Sequence, residues 1–360
     1  MRNKKFLRIS ITAAMLASLS TICPSSAAST PTAAKSMNSA FTYFPIPTKN
    51  GLPISIAIDG VGNLWFTQVE ANKIGIFNPT TGVFKEFQVP TVKSNPMDLV
   101  VDKKGNVWFT ENDANQIGFF NPVSNEFREF EIPTPRSRPA KLALASDGIL
   151  WFTQLEGNKI GALDTATGKI REYPIPTINS QPWGIALDGK GQVWFTEAQG
   201  NRLGRLDPRT GAMEEIKIPG NPGVPNEVVV DRKGIVWFCK RTSHQLVKYD
   251  PSTKSFKEFV IPTKSVPEGM AIDKKGWIWI CEQKGNRLAA FNPVNETFSE
   301  FDPATKEGQP FDLTFDAKGI LWFVDALTGQ VGKLDASKIQ TDESSMSIRF
   351  TPPRNLFKRD

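Results

Sequence analysis

The sequence is poor in the residues that most often carry enzyme chemistry. It contains one histidine, three cysteines and three tyrosines among 360 residues. These few residues do not show the paired spacings of a zinc site. The sequence also lacks a Gly-x-Ser-x-Gly nucleophile elbow and a phosphate-binding Gly-rich loop. We therefore do not expect a serine hydrolase, a nucleotide-binding enzyme or a zinc protein.

The chain also lacks an apolar run long enough to cross a bilayer, which takes about 20 residues. The apolar stretch 11–19 follows four basic residues and precedes the small residues 25–28. This order is typical of a cleavable secretory signal. Lipid attachment at Cys23 is disfavoured, because Ile22 stands where a small residue is required. We predict a signal peptide over 1–28, a flexible lead-in over 29–40, and a secreted or periplasmic location.

The excess of positive charge is small once this segment is set aside. The formal net charge of the whole chain is +6, and residues 1–28 hold four basic residues and no acid. The remainder therefore carries +2. Its lysines and arginines alternate with acids, as on a solvated surface. We predict no nucleic-acid partner, no membrane insertion of the processed chain, and a monomer.

What the sequence does contain is a repeat. Tryptophans stand 42 or 43 residues apart, at Trp65, Trp108, Trp151, Trp194, Trp237, Trp279 and Trp322. A proline precedes each by twelve residues, at Pro53, Pro96, Pro139, Pro182, Pro225, Pro267 and Pro310. A fixed period of this length indicates a repeat architecture.

One unit, residues 181–220, has the sequence QPWGIALDGKGQVWFTEAQGNRLGRLDPRTGAMEEIKIPG. It holds four short β-prone runs separated by turn residues, with no helical periodicity. An Asp-x-x-Gly step between the first two runs predicts a tight turn, and Ala145 replaces the aspartate in the third unit. Seven such units predict an all-β fold, a seven-bladed β-propeller of four-stranded blades over residues 41–336. Residues 337–360 are predicted to form a C-terminal tail.

The ring must close, and two segments could close it. FTYFPIPT at 41–48 resembles the outermost strand of the other units and precedes the first of them. We expect this strand to complete the last blade, whose other strands come from residues 310–335. SIRFTPP at 347–353 is the rival segment.

The repeat P-x-G-I-x-x-D-x-x-G-x-x-W-F-T-E-x-x-x-N-x-I-G-R, followed by E-F/Y-x-I-P-T, resembles the virginiamycin B lyase (streptogramin lyase) family over nearly all of residues 41–335. The resemblance implies a seven-bladed propeller that opens a cyclic antibiotic by elimination with a magnesium ion. It also implies a general-base histidine directly after a repeat proline. The magnesium would be held by a glutamate just before that proline and by the glutamate that ends a W-F-x-E strand.

This chain departs from the family at those positions. The residues after the prolines are Ile54, Met97, Ala140, Trp183, Asn226, Glu268 and Phe311. The residues before them are Leu52, Asn95, Arg138, Gln181, Val224, Val266 and Gln309. The first set contains no histidine, and the second set contains no glutamate. Because a positioned base contributes roughly 10²–10⁴-fold, we do not expect streptogramin lyase activity. The sole histidine, His244, aligns with asparagines that open the third strand, a turn position.

Acids are frequent at two places that should share one end of the ring. The first strand begins where its antiparallel neighbour ends, so the second residue after each proline and the end of each W-F strand are expected to line the channel mouth. Eight carboxylates fall there or directly after a proline: Asp98, Glu111, Glu197, Glu227, Glu268, Glu282, Asp312 and Asp325. Hard oxygen ligands suit Mg²⁺ or Ca²⁺.

For the metal we favour Glu282, Glu268, Glu227, Asp312, Asp325 and Asp98 as ligands. The alternative is that these acids only keep a wet funnel soluble and pair with neighbouring lysines. For an organic ligand in the funnel we favour Trp183, Phe311, Lys141, Lys240, Glu111 and Glu197, since aromatic and polar groups together line small-molecule pockets. Simple packing of the two rings is the alternative for Trp183 and Phe311.

Two functions therefore stay open on the sequence. One is a small-molecule binder or enzyme with an acidic, aromatic mouth. The other is a non-catalytic propeller that presents a face to a protein or an envelope polymer. Fold analogy alone does not choose between them.

The cysteines Cys239 and Cys281 occupy equivalent positions in neighbouring units. The spacing of blades around a ring places their Cα atoms about 9 Å apart, beyond the roughly 7 Å that a disulfide bridges. We predict two buried, unpaired thiols.

Overall fold

The structure, a computed structural model, describes residues 40–303, 305 and 307–335. These residues form 28 β-strands in seven antiparallel sheets of four, with no helix among them. The described residues therefore contain no helix that could cross a membrane. The predicted signal peptide, residues 29–39 of the lead-in, the tail and the rival strand at 347–353 lie outside the described residues. The predicted seven-bladed propeller is confirmed.

Each blade is a meander whose first strand is innermost and contacts the first strands of the adjacent blades. Blades one to three are β2 (Ile56–Ile58), β3 (Leu64–Gln68), β4 (Lys73–Asn78) and β5 (Val83–Gln88); β6 (Pro96–Val101), β7 (Val107–Glu111), β8 (Gln116–Asn121) and β9 (Glu126–Glu131); β10 (Pro139–Leu144), β11 (Ile149–Gln154), β12 (Lys159–Asp164) and β13 (Ile170–Pro174). Blades four to six are β14 (Pro182–Leu187), β15 (Val193–Glu197), β16 (Arg202–Leu206) and β17 (Met213–Lys217); β18 (Pro225–Val230), β19 (Val236–Lys240), β20 (Gln245–Asp250) and β21 (Ser255–Val260); β22 (Pro267–Ile272), β23 (Ile278–Glu282), β24 (Arg287–Asn292) and β25 (Thr297–Phe301). Blade seven is β26 (Pro310–Phe315), β27 (Leu321–Asp325), β28 (Gln330–Leu334) and β1 (Phe41–Pro45).

Ring closure uses the N-terminal strand, as predicted. β1 pairs antiparallel with β28, with Phe41 opposite Leu334 and Pro45 opposite Gln330. The outer strand of the last blade therefore comes from the beginning of the chain, which ties the two ends of the propeller together. Phe41 also packs in the core beside Phe323 of β27. The closure therefore buries apolar surface in addition to forming strand hydrogen bonds.

The Asp-x-x-Gly step forms the predicted turn and also anchors the repeat tryptophan. The Asp59 carboxylate accepts the backbone N–H groups of Val61 and Asn63 at 3.0 and 2.9 Å and the indole N–H of Trp65 at 3.3 Å. Gly62 takes a φ of 92°, which a side chain disfavours. The same acid–tryptophan bond recurs in five other blades. Ala145 leaves blade three without it.

The core lies between blades, not within them. Each of seven buried clusters combines residues from two adjacent blades, as when Trp65 of β3 packs with Val107 and Phe109 of β7. In β3, the second strand of blade one, every residue from Leu64 to Gln68 is buried. The equivalent strands β7 and β15 share this pattern. A blade thus has two apolar faces, and each needs a neighbour.

A threonine on the second strand links blades in the first half of the ring. The Thr153 hydroxyl donates to the Trp183 carbonyl of the next blade at 2.9 Å and accepts the Lys141 N–H at 3.1 Å. Thr67, Thr110 and Thr196 donate to equivalent carbonyls. Cys239 and Cys281 replace this threonine in blades five and six; both are buried and unpaired, which confirms the prediction of free thiols.

We expect Thr153→Val to destabilise the protein by about 1–3 kcal/mol, because it leaves the Lys141 N–H and the Trp183 carbonyl without this buried partner. Cys239→Val, at the same position of blade five, should cost less, since a thiol is a weak hydrogen-bonding group. Urea unfolding followed by tryptophan fluorescence measures both. Equal losses for the two variants would show that the threonine bond contributes nothing to blade packing.

Candidate functional site

The beginning of each first strand and the end of each second strand lie at the same end of the ring, as predicted. Pro96 stands opposite Glu111, and Pro182, Pro225 and Pro267 stand opposite the equivalent residues. The side chains at these positions, however, do not form a single ring. They divide into a central cluster on the first strands and a set of buried strand-end residues on the second strands.

The central cluster consists of Asp98, Lys141, Glu227 and Asp312, all second residues after a repeat proline. The Lys141 ammonium lies 2.8 Å from a Glu227 carboxylate oxygen and 3.5 Å from an Asp98 oxygen. Asp98 also accepts the Ser55 hydroxyl at 2.8 Å, and Asp312 accepts the Ile56 N–H at 3.1 Å. The structure thus brings four of the predicted residues together around the channel.

Three carboxyl groups share one ammonium in this cluster, and their pKa values respond. Burial works against the charge on Lys141, but Asp98 and then Glu227 outweigh it and hold the pKa of Lys141 well above its usual value. Burial raises the pKa of Glu227 to about 7 against the opposing effect of Lys141. Burial also raises the pKa of Asp312. The cluster therefore holds more acid than one lysine neutralises.

The strand-end residues do not line the mouth, and the prediction that they do is wrong. Their side chains have no solvent exposure: Gln68, Glu111, Gln154, Glu197, Lys240, Glu282 and Asp325. The loop before each repeat proline closes over them, since the Leu52 carbonyl accepts the Val69 N–H at 3.1 Å and the equivalent bond recurs at Asn95 and Asn112. A Cβ on Gly51 would lie 2.3 Å from the Gln68 amide oxygen, which shows how close this cover is.

In blades one to six the strand-end residue instead faces the acid at the middle of the outermost strand in its own blade, whereas β1 of blade seven has Tyr43 at that position. The Gln68 amide donates to Glu86 at 2.7 Å, and Lys73 lies 3.7 Å from the same carboxylate. In blade five the cation is at the strand end, where Lys240 pairs with Glu258. Lys240 is therefore committed inside its blade and not available at the mouth, contrary to the sequence prediction.

Blades two, four and six carry a second carboxyl group at this position. Burial and then the nearby Glu129 carboxylate raise the pKa of Glu111 to about 8. Burial and Glu215 do the same for Glu197, and burial and Glu300 for Glu282. The chemical consequence is that these three groups hold a proton near neutral pH.

The geometry does not support the predicted metal site. The charges that act most strongly on Glu282 are those of Glu300, Arg287 and Asp302, and not the central cluster. The Asp325 carboxylate accepts the N–H groups of Gln309 and Thr328 at 2.9 and 3.1 Å. Among the described residues, no three acidic, histidine or cysteine side chains are placed to hold a metal ion. The described residues thus offer no preformed set of three ligands, the Mg²⁺ or Ca²⁺ site stays a prediction, and no step below depends on it.

The residues directly after the prolines of blades four to seven form what we call the mouth arc: Trp183, Asn226, Glu268 and Phe311. The Asn226 amide donates to Glu268 at 2.9 Å, and the Arg241 guanidinium lies 2.7 Å from the other Glu268 oxygen. Glu268 is 2 % exposed and Trp183 6 %, while Phe311 is half-buried. Burial raises the pKa of Glu268 although Arg241 opposes it. The other three blades place Ile54, Met97 and Ala140 here.

Arg241 and Asn226 were not among the sequence-predicted site residues. Arg241 directly follows a strand-end residue, where blades one, three, four and seven have Val69, Leu155, Ala198 and Ala326. The charge of Arg241, at a position that is apolar in those four blades, was the feature of the sequence that could have pointed to this residue. It carries no meaning until the structure shows that the position reaches the next blade.

His244 occupies a turn, as its alignment predicted. It takes a φ of 54°, like Asn72, Asn115 and Asn158 at the equivalent positions. Its ring nitrogen Nδ1 lies 2.7 Å from the Ser265 carbonyl oxygen. The asparagines use their side-chain amides in a related way, since Asn72 donates to the Val89 and Thr91 carbonyls.

We expect Glu111→Gln, Glu197→Gln and Glu282→Gln to stabilise the protein at pH 8 by raising its melting temperature, each by about 2 °C or more. The folded state keeps a proton on these groups up to about pH 8, whereas an unfolded glutamate loses it near pH 4.5. Stability therefore falls as pH rises between these values, and glutamine removes that loss.

The gain should shrink towards pH 4.5, where folded and unfolded wild-type chains are both protonated to a greater extent. Exposed Glu70→Gln is the matched control and should change little at either pH. A gain of the same size at pH 4.5 and pH 8 would contradict the assignment of these buried protons.

Comparison with known proteins identifies the family. The model of the virginiamycin B lyase family matches residues 32–151 and 122–349. A search of curated proteins found no match. A solved streptogramin B lyase is similar at 34% identity and a TM-score of 0.77, over 82% of this chain and 97% of that one.

The virginiamycin B lyase of Staphylococcus aureus is similar at 30% identity and a TM-score of 0.77, over 82% of this chain and 98% of that one. A catalytically inactive histidine-to-alanine variant of that enzyme has been solved with quinupristin. An extracellular domain from B. thetaiotaomicron shares only the fold, at 17% identity and a TM-score of 0.64, over 81% of this chain and 42% of that one. On the match to the family model and to these enzymes, the chain belongs to the virginiamycin B lyase family.

Proposed function

We propose that this chain is an exported member of its family that binds a small organic molecule at the channel mouth and does not open streptogramin rings. Export rests on the order of basic, apolar and small residues in 1–28. Ligand binding rests on the mouth arc, and the lack of lyase activity rests on the residues that stand at the family's catalytic positions.

The observation that carries the proposal is the asymmetry of the mouth. On four consecutive blades the residues after the proline are an aromatic ring, an amide, a carboxylate and an aromatic ring, and the amide and carboxylate touch at 2.9 Å. On the other three blades the same position is aliphatic or sulfur-containing. Apolar walls with a few converging polar groups are typical of small-molecule sites.

The elimination catalysed by family enzymes requires a base that this mouth lacks in its usual form. No histidine follows a repeat proline, and His244 serves a turn. Glu268 is the only residue directly after a repeat proline that can accept a proton, and it is engaged by Arg241 and Asn226. These two partners lie against both of its carboxylate oxygens. The alternative function is a non-catalytic propeller that binds a protein or an envelope polymer.

We expect the purified protein not to linearise a streptogramin B antibiotic above the background rate. The reason is the loss of the positioned base, which is worth roughly 10²–10⁴-fold in general acid–base catalysis. Mass spectrometry of the antibiotic after incubation measures ring opening, with a known streptogramin B lyase as positive control. Ring opening at a rate within tenfold of that control would refute the proposal.

We expect a library of small organic molecules, screened by thermal shift, to contain compounds that raise the melting temperature of the wild type. Phe311→Ala should weaken their binding about tenfold, because it removes an aromatic wall worth on the order of 1.4 kcal/mol. Met97→Ala, at the same repeat position on the aliphatic side, is the matched control and should change binding less than threefold. Hits that bind both variants equally well would place the ligand elsewhere and favour the interaction propeller.

A further inference from the structure

We propose that the molecule bound at the mouth is a cation: an ammonium, amidinium or guanidinium group attached to an aromatic or aliphatic body. This inference rests on the proposed function and names its ligand class. It is carried by the charge of the mouth, by one buried acceptor without a donor, and by the aromatic residues beside them.

Carboxyl groups outnumber basic groups at the mouth. The central cluster and the mouth arc contribute four carboxyl groups, from Asp98, Glu227, Glu268 and Asp312. Of the residues that the structure describes, two bases pair with them, Lys141 and Arg241. The strand-end acids do not add to this count because they are buried inside the blades. A ligand with one or two positive charges would complete the pairing, whereas an anion would add to the excess.

The cluster already binds an ammonium group from the protein itself. The Lys141 ammonium is held by Glu227 and Asp98, which shows that this geometry suits such a group. Asp312, by contrast, forms no ion pair within 4.0 Å with any described residue and accepts only the N–H groups of Ile56 and Leu313. It directly follows Phe311 of the mouth arc. Asp312 is therefore the carboxylate of the cluster without a direct ion-pair contact, and Lys141, the cation that acts on it, is already held by Glu227 and Asp98.

A second, independent observation concerns Gln283, which occupies the repeat position of Arg241 in the following blade. Both residues reach the next blade: Arg241 reaches Glu268, and the Gln283 amide donates to Gln309 at 3.2 Å. Gln283 is 3 % exposed, and no described residue donates a hydrogen bond to its Oε1 atom. A buried acceptor without a donor is costly. A ligand that brings N–H groups would satisfy it.

The aromatic members of the arc fit the same ligand. Trp183 and Phe311 flank Asn226 and Glu268 in the order of the blades. Aromatic faces attract cations and also pack against apolar bodies. An amine on an aromatic or aliphatic body would therefore use the carboxylates for its charge and the two rings for its remaining surface.

Three probes with one aromatic body test the proposal: 2-phenylethylamine, 2-phenylethanol and 3-phenylpropanoate, titrated by calorimetry or ligand-observed NMR at pH 7.5. We expect the amine to bind at least about tenfold more tightly than the alcohol, the factor that one charge-assisted hydrogen bond supplies. The carboxylate should bind most weakly. The wild-type protein should show this order at low salt and at 0.15 M salt, since the mouth charges are at least partly buried.

Two variants move the amine affinity in opposite directions. Glu268→Gln should lower it about tenfold, whereas Arg241→Gln should raise it because Glu268 then loses its internal partner. A merely misfolded variant would not gain affinity. Glu111→Gln, a buried acid away from the mouth, is the matched control and should leave the preference unchanged.

Tighter binding of the alcohol or the carboxylate would overturn the cation assignment while leaving a small-molecule site intact. Absence of binding by all three probes at 20 mM would overturn it as well. The library screen with Phe311→Ala decides the proposed function separately, so the two failures can be told apart.

Discussion

Every blade of this protein depends on a neighbour, because each four-stranded sheet has two apolar faces and no core of its own. Trp65 and its equivalents pack across the gap to the next blade, and each of the seven apolar clusters spans two adjacent blades. An open row of such sheets would expose two apolar faces at its ends. Closure by β1 against β28 removes both. The channel and its mouth exist only because the ring is closed.

Closure also sets how much the sequence can vary at each position. The second strand is buried along its whole length, and its end residue must be matched within the blade. The repeats solve this in different ways, with glutamine and a lysine in blade one, a lysine in blade five, and a proton held on a second carboxyl group in blades two, four and six. The same sequence position therefore carries an amide, a base or an acid without any change of fold.

The positions directly after the repeat prolines, on the first strands, vary in another way. Here the repeats differ by side, with aliphatic residues on one arc and Trp183, Asn226, Glu268 and Phe311 on the other. Arg241 reaches Glu268 of this arc from the preceding blade, and Gln283 reaches Gln309, two residues before Phe311. The site is thus built from single residues on several blades, and each blade keeps its scaffold while contributing one side chain.

The sequence alone determined the repeat, the four strands of each blade, the Asp-x-x-Gly turns, the closure by residues 41–45 and the free thiols. Each of these follows from a local pattern or from ring symmetry, and each is present in the structure. Which acids share a site depends instead on contacts made in the folded chain. The sequence gives no reason to separate Glu111 from Asp98. In the structure, however, a loop covers Glu111, whereas Asp98 lies in the central cluster beside Lys141. The direction of a side chain and the loop above it depend on contacts between residues far apart in the chain, and no local pattern encodes them.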